Sequence, residues 1–200
     1  MNSYFSNLNK VRTNEFIDHL QSSSLANHIP IARDNTLALL NYLVKVNKVI
    51  NILEVGSAIG YSSIVLAFNN DVYIDTLEIN LDYFNIALAN IRLAGLHQKI
   101  NIVNIDAMLF NPCKTYDLIF IDAAKSKYID YFSKFSTHLK SNGIIVCDNI
   151  KHNRLEFSNN KNMNSLINKI KKFNEWLSLN NNFETIFLDL DDGVSVSIKK

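Results

Sequence analysis

The sequence predicts an α/β domain: a largely parallel sheet with helices on both faces, closed by an antiparallel hairpin. Three observations carry this. Between residues 50 and 179, short apolar runs of strand length alternate with longer amphipathic stretches of helix length, as in repeated strand–helix units. The first run ends in Val55, breaks at Gly56 and Gly60, and turns apolar again at Ile64, Val65 and Leu66, which reads as a buried strand, a tight turn and a helix. The last two runs, 183–189 and 194–198, are joined only by a short turn around Asp192 and Gly193. A turn that short makes a hairpin, so one strand must run against the others.

Taken in order, residues 1–48 read as a helical extension. Phe16, Ile17 and Leu20 share one face, and Leu37, Leu39, Leu40, Leu43 and Val44 share a later one. Pro30 separates the two, because no helix continues unkinked through a proline. Strand 50–55 is followed by a helix over 60–68, then strand 73–77 and a helix over 80–93 closed by Gly95. Next come strands 100–105 and 116–122, a helix over 127–139, strand 143–148, a polar loop and a helix over 164–179. The Asn-rich stretches 159–164 and 180–182 read as solvated loops. No internal repeat or linker divides the chain, so residues 1–200 are expected to form one domain.

Composition excludes several classes. A hydrophobic content of 48% and a charged content of 20% are ordinary for a soluble globular protein. A net charge of +1 offers no global attraction to nucleic acid, so any such binding needs a local patch. Cys113 and Cys147 lack metal-ligand spacing and read as reduced thiols. The N-terminal residues lack a signal-peptide pattern, and no apolar run approaches the roughly 18 residues that cross a bilayer. A cytoplasmic protein with no membrane partner is the expectation.

Ligands in open parallel sheets sit outside the carboxyl ends of the strands, so those ends are where chemistry is sought. Here they carry Glu54 and Gly56, then Glu78, Asp106 with Ala107, Asp122 with Lys125, and Asp148 with Asn149. The glycine turn lets backbone approach a ligand, and the helix after it presents free N–H groups. That spacing suits a nucleotide-type ligand, although a turn after any strand looks much the same. Each acid alone is equally a helix cap or a turn residue. Four strands in succession closed by acids at one sheet edge point to a site. Asp122, Asp148 and Asn149 are hard oxygen ligands, suited to Mg²⁺ or Ca²⁺ rather than zinc. Lys125 follows Asp122 by one turn; near a divalent ion in a low-dielectric cleft it serves as a general base, and otherwise it is an exposed lysine at a helix start.

The run from Ile52 to Ser63 (Ile-Leu-Glu-Val-Gly-Ser-Ala-Ile-Gly-Tyr-Ser-Ser), with Glu78, Asp106-Ala107, Phe120-Ile-Asp-Ala-Ala-Lys125 and Asp148-Asn149, resembles the cation-dependent, S-adenosylmethionine-dependent O-methyltransferases. That family includes the catechol and caffeoyl-coenzyme A methyltransferases. The resemblance extends from about residue 29 to the end and includes the terminal hairpin. It implies a Rossmann-like class I methyltransferase fold, with seven strands, mostly parallel. It also implies that Ala32, Glu54, Gly56 and Ser62 border the cofactor, that Glu78 binds its ribose hydroxyls, and that Asp106 and Ala107 contact the adenine. Asp122 would touch the cofactor and, with Asp148 and Asn149, hold Mg²⁺ or Mn²⁺. Lys125 would deprotonate the acceptor hydroxyl beside Asp122. Related enzymes are often dimers, so a homodimer is expected.

Within the family the chain looks most like the bacterial branch that methylates 5-hydroxyuridine at the tRNA wobble position. The shared features are His28-Ile-Pro-Ile31, the Asp-Ala-Ala-Lys motif, Lys169-Ile-Lys-Lys-Phe-Asn-Glu-Trp176 and the late Asp-Gly turn. Small-molecule members often carry an aromatic and a glycine soon after the Asp-Asn pair, where this chain has Ile150-Lys-His-Asn-Arg154. Asp191 stands where a glycine often precedes the last Asp-Gly. Lys151, His152 and Arg154 would flank the site, with Lys161, Lys169, Lys171 and Lys172 following, a local basic cluster suited to an anticodon loop or, alternatively, a solvated helix face. Tyr131 and Trp176 are either stacking surfaces or core. The competing readings are a catechol or phenol O-methyltransferase and a non-catalytic RNA- or nucleotide-binding module.

Overall fold

The structure, a computed structural model, describes residues 4, 8–151 and 161–200. Helices α1 (Glu15–Ala26) and α2 (Asp34–Val46) flank the break at Pro30. The Asn14 side chain caps α1 by accepting from the Ile17 N–H at 2.9 Å. The alternating part follows as β1 (Asn51–Val55), α3 (Tyr61–Asn69), β2 (Tyr73–Glu78), α4 (Leu81–Leu93), β3 (Ile100–Asn104), β4 (Tyr116–Ile121), α5 (Tyr128–Ser136), β5 (Leu139–Asp148), α6 (Lys161–Ser178), β6 (Phe183–Leu188) and β7 (Val194–Lys199).

The strands form one 7-stranded sheet in the order β3-β2-β1-β4-β5-β7-β6. The pairs from β3 through β5 are parallel, and β7 runs antiparallel to both β5 and β6. After β1 the chain steps to β2 and β3 on one side, then returns to place β4 on the other. The order therefore reverses between β1 and β4, and such a switch point opens a crevice at the strand ends.

Strand periodicity divides the core between the two faces. Leu118 and Phe120 join Leu20, Leu37, Leu40 and Ile64 on the side of α1–α3. Ile119 and Ile121 join Phe132, Phe135, Phe173 and Leu177 on the side of α5 and α6. Central strands covered on both faces read as continuous apolar runs, as β4 does. Trp176 packs edge-on to Phe132 at 5.5 Å between ring centroids and belongs to this packing, whereas Tyr131 is part of the same cluster and also borders the opening at the strand ends.

Two expected boundaries move. The helix expected over 127–139 is α5, which ends at Ser136, preceded by a short 3-10 turn at Lys125–Lys127. Leu139 pairs instead with Tyr116 and begins β5, whose register shifts between Tyr116 and Leu118. The apolar spacing that suggests one more helical turn is satisfied by a strand, since Leu139 is buried in either case. Helix α6 begins at Lys161, ahead of the expected 164. Among the described residues, no helix is long and apolar enough to cross a membrane.

Candidate active site

The switch point is held together by backbone. Gly56 follows β1 at φ 96, and a Cβ there would stand 2.2 Å from the Asp122 carbonyl oxygen. Only glycine fits so close to β4 in that conformation. The N–H groups of Gly56 and Ser57 donate to the Leu77 carbonyl at 3.0 and 3.2 Å, and the Asp122 N–H donates to Val55 O at 3.0 Å. The ends of β1, β2 and β4 are thereby locked in register around one opening.

That opening is a cleft of about 940 Å³. Glu78, Asp106 and Ala107 line one part of its wall, and Asp122, Lys125 and Asn149 line another. Gly56, Ser62 and Ala32 also border it. Glu78 is held by two backbone donors, the Ala58 N–H on Oε2 and the Asn80 N–H on Oε1, each at 2.8 Å. Its carboxylate is thus fixed, with lone pairs left for a hydroxyl-bearing ligand. Asp106 Oδ1 accepts from the Met108 N–H at 2.8 Å, which fixes a carboxylate that borders the cleft.

Glu54 is not in the cleft wall. It is buried, and its carboxylate receives the hydroxyls of Ser62, Ser63 and Thr76. Burial pushes its pKa above the ordinary range, the three hydroxyls pull it down, and the Glu78 charge adds a smaller upward push. Glu54 therefore touches the cleft only through Ser62, whose hydroxyl it orients.

The other part of the wall gathers opposed charge. Neighbouring strands β4 and β5 pair Ile121 with Cys147, so Asp122 and Asp148 follow side by side. Burial, and then the Asp148 charge, push the Asp122 carboxyl up to about 7; Lys125 acts against this and Glu54 with it. Asp148 is likewise raised, chiefly by burial and against the hydrogen bonds from Asn149. The Asn149 N–H donates to Asp148 Oδ1 at 2.7 Å, while Asp148 Oδ2 is buried without a hydrogen-bond partner. Asn149 adopts φ 57, a left-handed conformation that asparagine tolerates better than most residues. The Tyr128 hydroxyl donates to the Asp148 carbonyl at 2.8 Å and lies 3.5 Å from the Ile121 carbonyl, linking the ends of β5 and β4.

These residues fit a hard divalent cation: two carboxylates that repel one another, an amide, and an orphaned buried oxygen are what such an ion would satisfy. Asp148 itself is buried and not part of the cleft wall, whereas Asp122 and Asn149 are. Among the described residues, no group of three His, Cys, Asp or Glu side chains is arranged to hold a metal; the trio here depends on the asparagine.

Only part of the expected basic mouth falls within the described residues. Lys151 is engaged by Asp189 in an ion pair, and its N–H donates to the Asp192 carbonyl at 2.8 Å. Lys169 and Lys172 are exposed on α6, and Lys171 is half-buried. His152 and Arg154 lie outside the described residues. Ala32 was expected at the cofactor; its neighbours in the segment 29–35, with Asp191 and Asp192, also border the cleft and were not expected in its wall. Arg33 Nε pairs with Asp192 at 2.9 Å, and Asn35 Nδ2 donates to Asp191 Oδ1 at 2.9 Å. The partners stand 159 and 156 residues apart, so no local pattern could have announced them.

Sheet order and the antiparallel C-terminal hairpin define a Rossmann-like fold with acids at its strand ends, and comparison with solved structures identifies it as the methyltransferase fold. A structure from Staphylococcus aureus, provisionally described as a caffeoyl-CoA O-methyltransferase, matches with a TM-score of 0.89 at 32% identity, covering 94% of this chain and 93% of that one. The family profile described as O-methyltransferase matches residues 9–200, and the chain belongs to that family. A Bacillus cereus O-methyltransferase in complex with SAH shares the fold, with a TM-score of 0.81 at 22% identity over 95% of this chain and 93% of that one. Among curated proteins, the caffeoyl-CoA O-methyltransferase of Stellaria longipes is 29% identical over 69% of this chain and 62% of its own length. Caffeoyl-CoA O-methyltransferase 2 of Eucalyptus globulus is 35% identical over 55% of this chain and 49% of its own length. The chain thus spans about half to three-fifths of the curated relatives it matches.

Proposed function

We propose that the protein transfers a methyl group from S-adenosylmethionine to the hydroxyl of 5-hydroxyuridine at the tRNA wobble position, giving 5-methoxyuridine. The observation that carries the transfer is one continuous cleft with Glu78 in one part of its wall and Asp122, Lys125 and Asn149 in another. Glu78 would hold the ribose hydroxyls, Asp106 and Ala107 the adenine, and Gly56, Ser62 and Ala32 the remainder, with Glu54 acting through Ser62. Asp122, Asp148 and Asn149 would hold Mg²⁺ or Mn²⁺. When bound, the ion lowers the acceptor hydroxyl's pKa and the cofactor supplies a methyl on sulfonium. Lys125 takes the hydroxyl proton at Nζ, and the cleft wall holds the acceptor in line for displacement.

The tRNA acceptor is supported by the exposed Lys169 and Lys172 on α6, which packs beside the Lys125–Lys127 turn. An anticodon base is unpaired or easily splayed, so an open cleft can admit it. A second reading, methylation of a small catechol or phenol, is favoured by the likeness to caffeoyl-CoA O-methyltransferases and by Asp189 engaging Lys151. Incubation with cofactor, Mg²⁺ and tRNA carrying 5-hydroxyuridine, followed by nucleoside mass spectrometry, separates them. The expected result is 5-methoxyuridine, abolished by EDTA and by Asp122→Ala in a protein that still folds. Turnover of a diphenol with none on tRNA selects the second reading. Activity indifferent to EDTA and to Asp122→Ala refutes the cation mechanism.

A further inference from the structure

Asp191 opens the turn between β6 and β7 at φ 47, a region that costs most side chains backbone strain. One carboxylate oxygen accepts from Asn35 Nδ2 at 2.9 Å. The other, Oδ2, is buried and has no hydrogen-bond partner. The residue borders the cleft together with Asn35, Lys125 and Asn149. A glycine would remove both the strain and the unmatched oxygen, so the position is expensive to keep as aspartate. Unmatched polar groups and strained backbone in a cleft wall together mark a place where a ligand completes the bonding.

We propose that Asp191 selects the acceptor by receiving a hydrogen bond from a ring N–H of the base being methylated, the imide N3–H of a uracil. This rests on the 5-hydroxyuridine reading above. A small change in the side-chain torsions would bring Oδ2 out to the cleft that the residue borders, with Oδ1 keeping the bond from Asn35. In 5-hydroxyuracil, the hydroxyl and its neighbouring carbonyl oxygen face the Asp122–Asn149 side. The N3–H is then the next ring group along, and it is a donor. A simple phenol has only carbon there and leaves Asp191 unmatched, which sites built around a polar partner reject strongly. An amide in place of the carboxylate can present its own N–H₂ to the incoming N–H and so removes the preference.

The test binds 5-hydroxyuridine and its N3-methylated analogue by calorimetry, in the presence of S-adenosylhomocysteine and Mg²⁺, to the wild type and to Asp191→Asn. Asparagine keeps the left-handed backbone and can keep the Asn35 bond, so the variant is expected to fold. The wild type is expected to prefer the N3–H nucleoside by about tenfold or more, the cost of one unmatched charge-assisted hydrogen bond. Asp191→Asn is expected to lose that preference while binding S-adenosylhomocysteine as before. Equal affinity of the wild type for the two nucleosides, a preference that survives in Asp191→Asn, or no binding of either nucleoside overturns the proposal. The methylation assay is read separately: an Asp191-dependent preference without transfer to tRNA would refute the catalytic reading alone.

Discussion

Replacing Gly56 by alanine tests the geometry on which the whole site depends. The added Cβ would stand 2.2 Å from the Asp122 carbonyl oxygen, well inside the 3.0 Å below which something must shift. The obstacle is backbone, so it cannot swing aside as a side chain would. Gly95 supplies the control, at φ 70 with nothing within 4 Å of an added Cβ. A left-handed conformation costs alanine about 1–2 kcal/mol at either position. Only Gly56→Ala adds overpacking, typically about 1–3 kcal/mol. In a chain of this size each kcal/mol lowers Tm by about 2–4 °C. Gly56→Ala should therefore melt roughly 2–12 °C below Gly95→Ala by the same conversion. Because the strain is relieved at the β4 end, which carries Asp122, Gly56→Ala should also lose any Mg²⁺-induced rise in Tm, whereas Gly95→Ala keeps it. Melting of both variants in a calorimeter, with and without Mg²⁺, measures this. A Gly56→Ala protein that melts with Gly95→Ala would refute the close approach.

Two further outcomes follow from the charges. The Asp122 carboxyl is raised to about 7, by burial first and Asp148 next, so between the ordinary carboxylate range and pH 7 the folded state holds a proton that the unfolded chain has released. Stability contributed by that proton is present at low pH and lost as pH rises through 7. In EDTA, Tm should fall between pH 5.5 and 8, Mg²⁺ should restore it most at the upper end, and Asp122→Asn should flatten the profile; a profile unchanged by Asp122→Asn would count against the charge pair. Asp75 behaves in the opposite sense: burial, the largest influence, works to raise it, yet Asn101, Lys114 and Tyr116 together hold it below the usual range. Its contribution is present above the unfolded carboxylate range and lost as acid approaches its folded pKa. Removing the Tyr116 hydroxyl, which donates to Asp75 at 2.8 Å, should cost about 1.5–3 kcal/mol, and Tyr116→Phe should narrow the gap in Tm between pH 7 and pH 4.

Much of this protein was legible in one dimension because its signals are local. Each apolar run is a strand buried on two faces, Gly56 must be a glycine where backbones meet, and the strand-end acids fall at one edge because parallel strands all point the same way. Asp122, Asp148 and Asn149 could be grouped before any fold was known, since β4 and β5 follow one another and lie side by side. Local signals also misled where burial is indifferent to conformation: Leu139 is as buried at the start of β5 as in another turn of α5. They were silent where charges meet across the fold. Asp189 engages Lys151 and Asp192 engages Arg33, while Lys169 and Lys172 are exposed on α6. Glu54 stands behind Ser62 rather than in the cleft, which only the packing of α3 on β1 decides.

The sequence alone determined the order of strands and helices, the reversed last strand and the kinds of atom at each strand end, because these depend on neighbours a few residues away. Tertiary structure decided which acids share a cleft, what orients them, and that Asp191 stands there at φ 47 with an oxygen unmatched. Its partner Asn35 is 156 residues distant. Only folding brings the two together, and with them the wall that meets the acceptor.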